Sequence, residues 1–276
     1  MTVLLTNDDG YQSDGLAAAR DALLAVGLRV VTVAPDGPRS GGSRAATFRR
    51  PVRFDQVNDD AGNPIYACDG TPVDCIRVAL MSDLVPDVKV VVSGINEGAN
   101  LGDDTTYSST VGAAVEGALL GIGSIAVSQQ SRDRRFRLVD RDGYDWDAAG
   151  VITAELALAA CADPLPARTV VNVNVPGAVP SSATRVVRLG RRAYRRGGLE
   201  QGHNEHGHGF FTFHVNDESD PPIHDEPGTD FDALAHGAVA LTPLSLAWGD
   251  TLPFKQTRAW AEAQALRIDQ RVGLIT

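Results

Sequence analysis

Val3-Leu4-Leu5-Thr6-Asn7-Asp8-Asp9-Gly10 is a short apolar run that stops at two adjacent carboxylates. An unbroken apolar run of this length reads as a strand covered on both faces, as strands of parallel sheets are. The chain outward from it keeps the same rhythm. Residues 15–26 space Leu16, Ala19, Leu23 and Val26 as one face of a helix. Residues 28–34 form a β-branched run ending at Pro35. Residues 51–57 alternate and suggest a further strand. Thr71-Pro72-Val73-Asp74 is a helix start, with Thr71 as N-cap, Pro72 at the first helical position and Asp74 in the first turn. Residues 88–92 read as a buried strand, 110–120 as a helix and 125–128 as a strand. Strand and helix in alternation imply an α/β fold: a Rossmann-like, three-layer core with a mainly parallel sheet.

The second half is less regular. Residues 147–161 form an Ala-rich helical stretch and 169–175 a strand. Residues 177–227 have no clear period and are rich in Gly, Arg, His and Pro. They are expected to form a protruding arm, with a hairpin near 209–215. A strand is expected at 237–242 and a tail helix at 256–266, within 253–268. Neither an internal repeat nor a dividing linker stands out. One domain is therefore expected over 1–276, with its core at 1–175 and 228–245.

Composition bounds the function. The 276 residues are 43% hydrophobic, too apolar for a disordered chain. Three cysteines, Cys68, Cys75 and Cys161, are an odd number without CxxC spacing, so a disulfide scaffold is excluded. A formal net charge of -10 offers no general surface for a nucleic-acid polymer. No basic stretch precedes the first apolar run, and residues 233–249, the longest uncharged run, include His236 and Pro243. Neither a signal peptide nor a membrane span is expected, and the expected location is the cytoplasm.

Chemistry concentrates in three loops, each following a strand, where ligands of open α/β sheets collect. Asp8 and Asp9 follow the first. Neighbouring side chains on a strand point to opposite faces, so both reach one ion only if the chain turns, which Gly10 permits. The pair reads as a divalent-cation site or as a solvated acidic turn. Ser93-Gly94-Ile95-Asn96-Glu97-Gly98-Ala99-Asn100-Leu101-Gly102-Asp103-Asp104 follows the strand at 88–92 and leads to Ser108, Ser109 and Thr110 at a helix start. That start suits a phosphate, and it equally suits a plain N-cap. Arg39-Ser40-Gly41-Gly42-Ser43-Arg44 follows the second strand. Ser40 can supply a hard-metal oxygen, and Arg39 or Arg44 can pair a phosphate. Three such loops on one sheet edge make a site more convincing than each does alone.

At these residues the chain resembles the SurE survival-protein family, divalent-metal-dependent 5'-nucleotidases. Leu4 to Gly10, Ala34-Pro35-Asp36, Arg39-Ser40-Gly41, Gly70-Thr71-Pro72-Val73-Asp74-Cys75, the loop from Ser93 to Asp104, and Tyr107-Ser108-Ser109-Thr110-Val111-Gly112-Ala113-Ala114 carry the likeness. Glu116-Gly117, Gly228-Thr229-Asp230 and Leu241-Thr242-Pro243-Leu244 extend it. The resemblance implies one divalent ion per subunit, Mg²⁺ or Mn²⁺, on Asp8, Asp9, Ser40 and Asn96. It implies phosphate contacts at Asn100, Ser108 and Thr110, to which Ser109 and Arg39 are added as candidates. Asp8 or Asp9 is expected to assist the attacking water, and a nucleoside 5'-monophosphate is the expected substrate. A homodimer or homotetramer with exchanged arms is implied as well, acting on neither nucleic-acid polymers nor membranes. Three positions depart from the family pattern. Ser109 stands where Gly is usual, which strains the chain if φ there is positive or else adds a hydroxyl donor. Ala45 loses a hydroxyl, and Asp14 replaces a common Pro.

Rival motifs are weaker. Gly121-Ile122-Gly123-Ser124-Ile125-Ala126 matches GxGxxA but follows a helix and precedes a strand, the reverse of the dinucleotide context. Neither Lys89 nor Lys255 follows a Gly, which excludes a Walker A loop. GxSxG and HExxH do not occur, and Ala149 breaks the aspartyl-phosphatase pattern begun by Asp145-Trp146-Asp147. His203, His206 and His208 have the spacing of soft-metal ligands or of an adventitious solvated cluster. Arg185, Arg188, Arg191, Arg192, Arg195 and Arg196 form a basic run, read as an exposed arm or subunit contact, or as a phosphate binder. The latter supports an exopolyphosphatase or broad phosphomonoesterase as an alternative. The altered Ser109 and Ala45 support another, a regulatory protein that binds metal and nucleotide without turnover.

Overall fold

The computed structural model describes residues 1–60, 62–82, 84–134, 143–178, 181–193, 199–205, 207–213 and 223–247. Its elements run β1 (Thr2–Thr6), α1 (Asp14–Ala25), β2 (Arg29–Pro35), β3 (Phe54–Asp60), β4 (Asn63–Cys68), α2 (Pro72–Met81) and β5 (Val88–Glu97). A 3-10 turn (Gly102–Thr106) precedes α3 (Ser109–Leu119), β6 (Ser124–Gln129), α4 (Trp146–Ala162) and β7 (Thr169–Val175). Then come β8 (Arg185–Val186), β9 (Leu199–His203), β10 (Gly209–Phe213), α5 (Asp230–Ala235) and β11 (Ala240–Ser245).

Nine strands make one sheet in the order β3-β4-β2-β1-β5-β6-β7-β11-β8. The β1–β2, β1–β5, β2–β4, β5–β6, β6–β7 and β8–β11 pairs are parallel, whereas β3–β4 is antiparallel. This is the expected α/β, mainly parallel architecture. Alternation along β1 shows its layers. Val3 and Leu5 join Leu16, Ala19 and Leu23 of α1 and Ala149 and Ala157 of α4 in one core. Leu4 joins Cys75, Ile76 and Ala79 of α2 and Ala113 of α3 in the other. A smaller core sits beside the 3-10 turn, where Leu101 packs with Phe231, Leu234 and Ala240.

Local signals explain the helix starts. Thr71 and Asp74 form a reciprocal capping box with Pro72 inside it. Ser13, Ser108, Asp145 and Thr229 cap α1, α3, α4 and α5 through their side chains. The strand expected at 51–57 lies instead at Phe54–Asp60 and turns back as β4. β4 carries Pro64 and no strict alternation, so its pattern is silent. α5 is too short for a helical period to register.

Part of the expected arm is built into the sheet edge. β8 pairs with β11, and isolated bridges join Arg188 to Thr229 and Arg192 to Ile223. The hairpin expected near 209–215 lies earlier: β9 (Leu199–His203) runs antiparallel to β10 (Gly209–Phe213), with His203 opposite Gly209. Contacts divide the chain into Met1–Leu244 and Ser245–Thr276. The expected tail helix lies outside the described residues. No helix among those described is long and apolar enough to cross a membrane.

Candidate functional site

The strand order reverses at β1: β2 lies on one side and β5 on the other. The carboxyl ends of β1 and β5 therefore flank a topological switch point, where open α/β sheets open a crevice. A cavity of about 300 Å³ lies there. Asp8 and Asp9 line it from the turn after β1, Ser40 and Gly41 from the loop after β2, and Asn96 and Glu97 from β5. Asn100, Asp104, Tyr107 and Ser108 line it from the segment leading to α3, and Tyr144 from the start of α4's approach. The three loops singled out in the sequence thus meet in one cavity.

The acidic turn is braced from beneath. Asn7 is fully buried, and its Nδ2 donates to the Gly10 carbonyl at 3.0 Å and to Ser13 Oγ at 2.7 Å. Gly10 has φ +104°, which its lack of a Cβ allows, so the expected turn is present. A Cβ there would also meet Gly37 Cα at 3.1 Å. Asn7 was legible in the sequence as the residue before the aspartates, but its bracing role needed the fold.

Asp8 is buried, and burial pushes its carboxyl up, opposed by a hydrogen bond from Thr110 Oγ1. The same Thr110 hydroxyl lies 2.9 Å from Asn96 Oδ1. Asn96 Nδ2 donates to the Gly98 carbonyl at 2.7 Å, which turns Oδ1 back toward Thr110 and Asp8. Asp9 is half-buried. Burial and then the Asp8 charge push its carboxyl up to about 7, against a hydrogen bond from the Glu97 N–H. Glu97 is raised too, by burial and by the charge of Asp14.

The Ser40 loop is pinned to its neighbours. Arg39 N donates to the Asp8 carbonyl at 2.7 Å, and Ser109 Oγ donates to the Arg39 carbonyl at 3.0 Å. Ser43 Oγ donates to the Thr106 carbonyl at 2.7 Å. Gly112 on α3 admits this loop: a Cβ there would meet Ser43 O at 2.6 Å. Ser109 is the first residue of α3 and is absent from the residues with positive φ. The strain anticipated for it does not arise, and its hydroxyl acts as a donor to the loop. Ala45 is not among the cavity-lining residues; its carbonyl accepts from Thr71 Oγ1 at 2.7 Å.

Three candidates, Arg39, Ser109 and Thr110, are not among the cavity-lining residues. The Arg39 guanidinium bonds Asp36 at 2.7 Å, and Thr110 lies behind the cavity wall, touching Asp8 and Asn96 rather than lining it. Ser108 does line the cavity. Its Oγ accepts from the Val111 N–H at 3.1 Å, leaving its own proton to donate.

A divalent cation fits these donors. Among the described lining residues are four carboxylates, Asp8, Asp9, Glu97 and Asp104, and neither Lys, Arg nor His. Of these, only Asp104 has an ion-pair partner among the described residues, Arg192, whose Nε lies at 2.8 Å. Adjacent acids such as Asp8 and Asp9 repel unless a cation joins them. No group of three or more His, Cys, Asp or Glu suited to a metal occurs among the described residues. The cavity lining instead offers carboxylate, amide and hydroxyl oxygens, a donor chemistry that suits Mg²⁺ or Mn²⁺ better than zinc.

Doubly wound topology, with an acidic, oxygen-rich cavity and a helix N-terminus at the switch point, defines a class: open α/β proteins whose ligand crevice lies at the carboxyl ends of the strands. The chain belongs to the SurE family. The family model described as survival protein SurE matches residues 3–196. The 5'-nucleotidase SurE of Rubrobacter xylanophilus is 41% identical over 266 residues, covering 94% of this chain and 97% of that protein. That of Chloroflexus aggregans is 37% identical over 94% of this chain and 99% of that protein. The crystal structure of the SurE protein from Aquifex aeolicus superposes with TM-score 0.77 at 34% identity, covering 95% of this chain and all of that one.

Proposed function

We propose that the protein hydrolyses nucleoside 5'-monophosphates to nucleoside and phosphate with one bound divalent ion, Mg²⁺ or Mn²⁺. The observation that carries this is the cavity itself: unpaired carboxylates beside a helix N-terminus, without a cationic side chain among its described lining residues. A phosphate dianion enters such a cavity only with a cation. The relatives named 5'-nucleotidase SurE support the same activity.

Asp8, Asp9, Ser40 and Asn96 would hold the ion. When bound, a divalent ion supplies positive charge to the phosphate oxygens and acidifies the attacking water. Ser108 and the first N–H groups of α3 face the same phosphate with donors and the positive end of a helix dipole. Asn100, also in the lining, adds an amide donor. Asp9, less buried than Asp8, would take the proton that water gives up. As the water oxygen bonds phosphorus, the bond to the 5'-oxygen breaks, and the proton that the water gave up passes to that leaving oxygen. Tyr107 and Tyr144 bring aromatic faces to the mouth; Tyr144 stacks on Trp146 with centroids 5.0 Å apart. A nucleobase has a face to stack there.

The polyphosphate alternative rested on the arginine run, and the described arginines of that run each face an acid. Arg185 faces Asp232, Arg188 and Arg191 face Glu226, and Arg192 faces Asp104. Arg195, Arg196 and His206 lie outside the described residues. The regulatory alternative rested on Ser109 and Ala45, one unstrained and the other off the cavity wall. The expectations of a cytoplasmic homodimer or homotetramer and of a single domain with an exchanged arm go with this reading. Light scattering on the purified protein tests the oligomer.

The test of activity is phosphate release from 5'- and 3'-nucleotides and short polyphosphate with Mn²⁺, Mg²⁺ or EDTA, beside Asp9→Ala. Release from 5'-nucleotides that needs both the ion and Asp9 is expected. Folded protein that binds nucleotide but releases no phosphate in either metal would overturn the enzyme.

A further inference from the structure

We infer that Asn174, assisted by Asn172, is a positioning residue that clamps the main chain of Asn100 and so aims its amide at the substrate phosphate. The inference rests on the proposed role of Asn100. Both asparagines lie on β7, two residues apart and hence on one face, and both are fully buried. Register brings Ser128 of β6 beside Asn174.

The grip is two-handed. Asn174 Oδ1 accepts from the Asn100 N–H at 2.8 Å, and its Nδ2 donates to the Asn100 carbonyl at 3.0 Å. Asn172 Nδ2 donates to the same carbonyl at 2.9 Å. The main chain demands an acceptor on one side and a donor on the other, so the Asn174 amide has one possible orientation. Asn100 Nδ2 in turn donates to Ser128 Oγ at 2.8 Å. That bond uses one of its two hydrogens and leaves the other for a ligand.

A purely structural explanation accounts poorly for these amides. The opposite face of the same strand carries Val171, Val173 and Val175, which pack in the apolar core. Polar side chains buried in a sheet weaken it unless each finds a partner. Asn172 Oδ1 has none among the described residues. What the two amides share is the Asn100 backbone, at a bend where the chain leaves β5 with no sheet partner of its own. A clamp there keeps Asn100 at the cavity wall before substrate arrives, the preorganisation that binding and turnover require.

A double-mutant cycle tests it. Wild type, Asn174→Ala, Asn100→Ala and the double variant would be compared for inorganic phosphate affinity at saturating Mn²⁺, for Mn²⁺ affinity by calorimetry, and for AMP kinetics. Asn174→Ala should weaken phosphate about tenfold, the loss expected for a misplaced hydrogen bond. Mn²⁺ affinity should stay within about twofold, because none of the proposed ion ligands touches Asn174. In the Asn100→Ala background Asn174→Ala should cost nothing further. Additive losses, or an equal fall in Mn²⁺ affinity, would mean a general structural role and overturn the clamp. Unchanged phosphate affinity in Asn174→Ala alone overturns it as well. Unchanged affinity in Asn100→Ala would instead remove the phosphate role of Asn100, and the clamp with it. Phosphate binding reads the clamp even if no nucleotide is hydrolysed, which separates this failure from that of the proposed activity. Should Asn174→Ala not fold, the cycle runs with Asn172→Ala, where a smaller loss is expected because the Asn174 grip remains.

Discussion

Thr110 shows how much one hydroxyl can organise. It touches Asp8 and Asn96, two proposed ligands from different strands, while fully buried itself. Thr110→Val keeps the shape and removes both contacts. Leaving buried acceptors unpaired costs about 1–3 kcal/mol. The expected outcome is a fall in kcat/KM of at least about tenfold with a weaker Mn²⁺ affinity, read by steady-state kinetics and calorimetry. Tyr144 belongs at the same scale. Tyr144→Ala should raise KM for AMP about tenfold, the worth of one aromatic stack, and leave KM for ribose 5-phosphate unchanged. Equal shifts for both substrates would remove the base-stacking role. At this scale local chemistry in the sequence points to Asp8, Asp9, Ser40 and Ser108, the family resemblance adds Asn96 and Asn100, and all six line one cavity. Arg39 was named for its charge, yet a neighbouring acid three residues away holds it. Charge alone does not say where a guanidinium points.

Between elements, the contact of α3 with the Ser40 loop is a tight constraint on the site. Gly112 faces the Ser43 carbonyl so closely that an added methyl must displace the loop. Gly112→Ala favours the helix by about 1 kcal/mol in intrinsic propensity, but it pushes Ser40 away from Asp8. Activity should therefore fall much further than the melting temperature, and parallel thermal and kinetic measurements check this. The start of α2 makes a prediction about acid. Burial raises the Asp74 carboxyl, but bonds from Thr47 and Thr71 outweigh that and leave it below its ordinary value. A folded pKa below the unfolded one stabilises the protein fully above about pH 4, and the benefit is lost as pH falls through the folded value. Asp74→Asn should flatten the fall in melting temperature over that acid range. The helix start is readable as Thr71-Pro72-Val73-Asp74 because helix starts are built from adjacent residues; the reciprocal capping bonds come from the structure. The bonds from Thr47 were not, since they join residues brought together by the fold.

Across the whole molecule, the second half of the chain pins the loop that the first half presents to the cavity. Asp230 accepts from the Gly102 N–H at 2.7 Å and the Gly190 N–H at 2.8 Å. Arg192 donates from its backbone to Asp103 and from Nε to Asp104, with its guanidinium over the Phe231 ring. Breaking a buried ion pair of this kind costs about 3–5 kcal/mol, because the remaining charge stays buried. Arg192→Ala should lower stability by that amount in denaturant unfolding and weaken nucleotide binding, since Asp104 lines the cavity. The sequence alone determined the α/β class, the parallel core and the three site loops, because apolar period, helix caps and turn glycines are written in neighbouring residues. Only the tertiary structure decided that Arg192 serves Asp104 rather than a ligand, that Ser109 is unstrained, and that Asn174 holds Asn100. Each of these depends on which distant residue arrives opposite. That is set by the order in which the strands pack, and no local pattern records it.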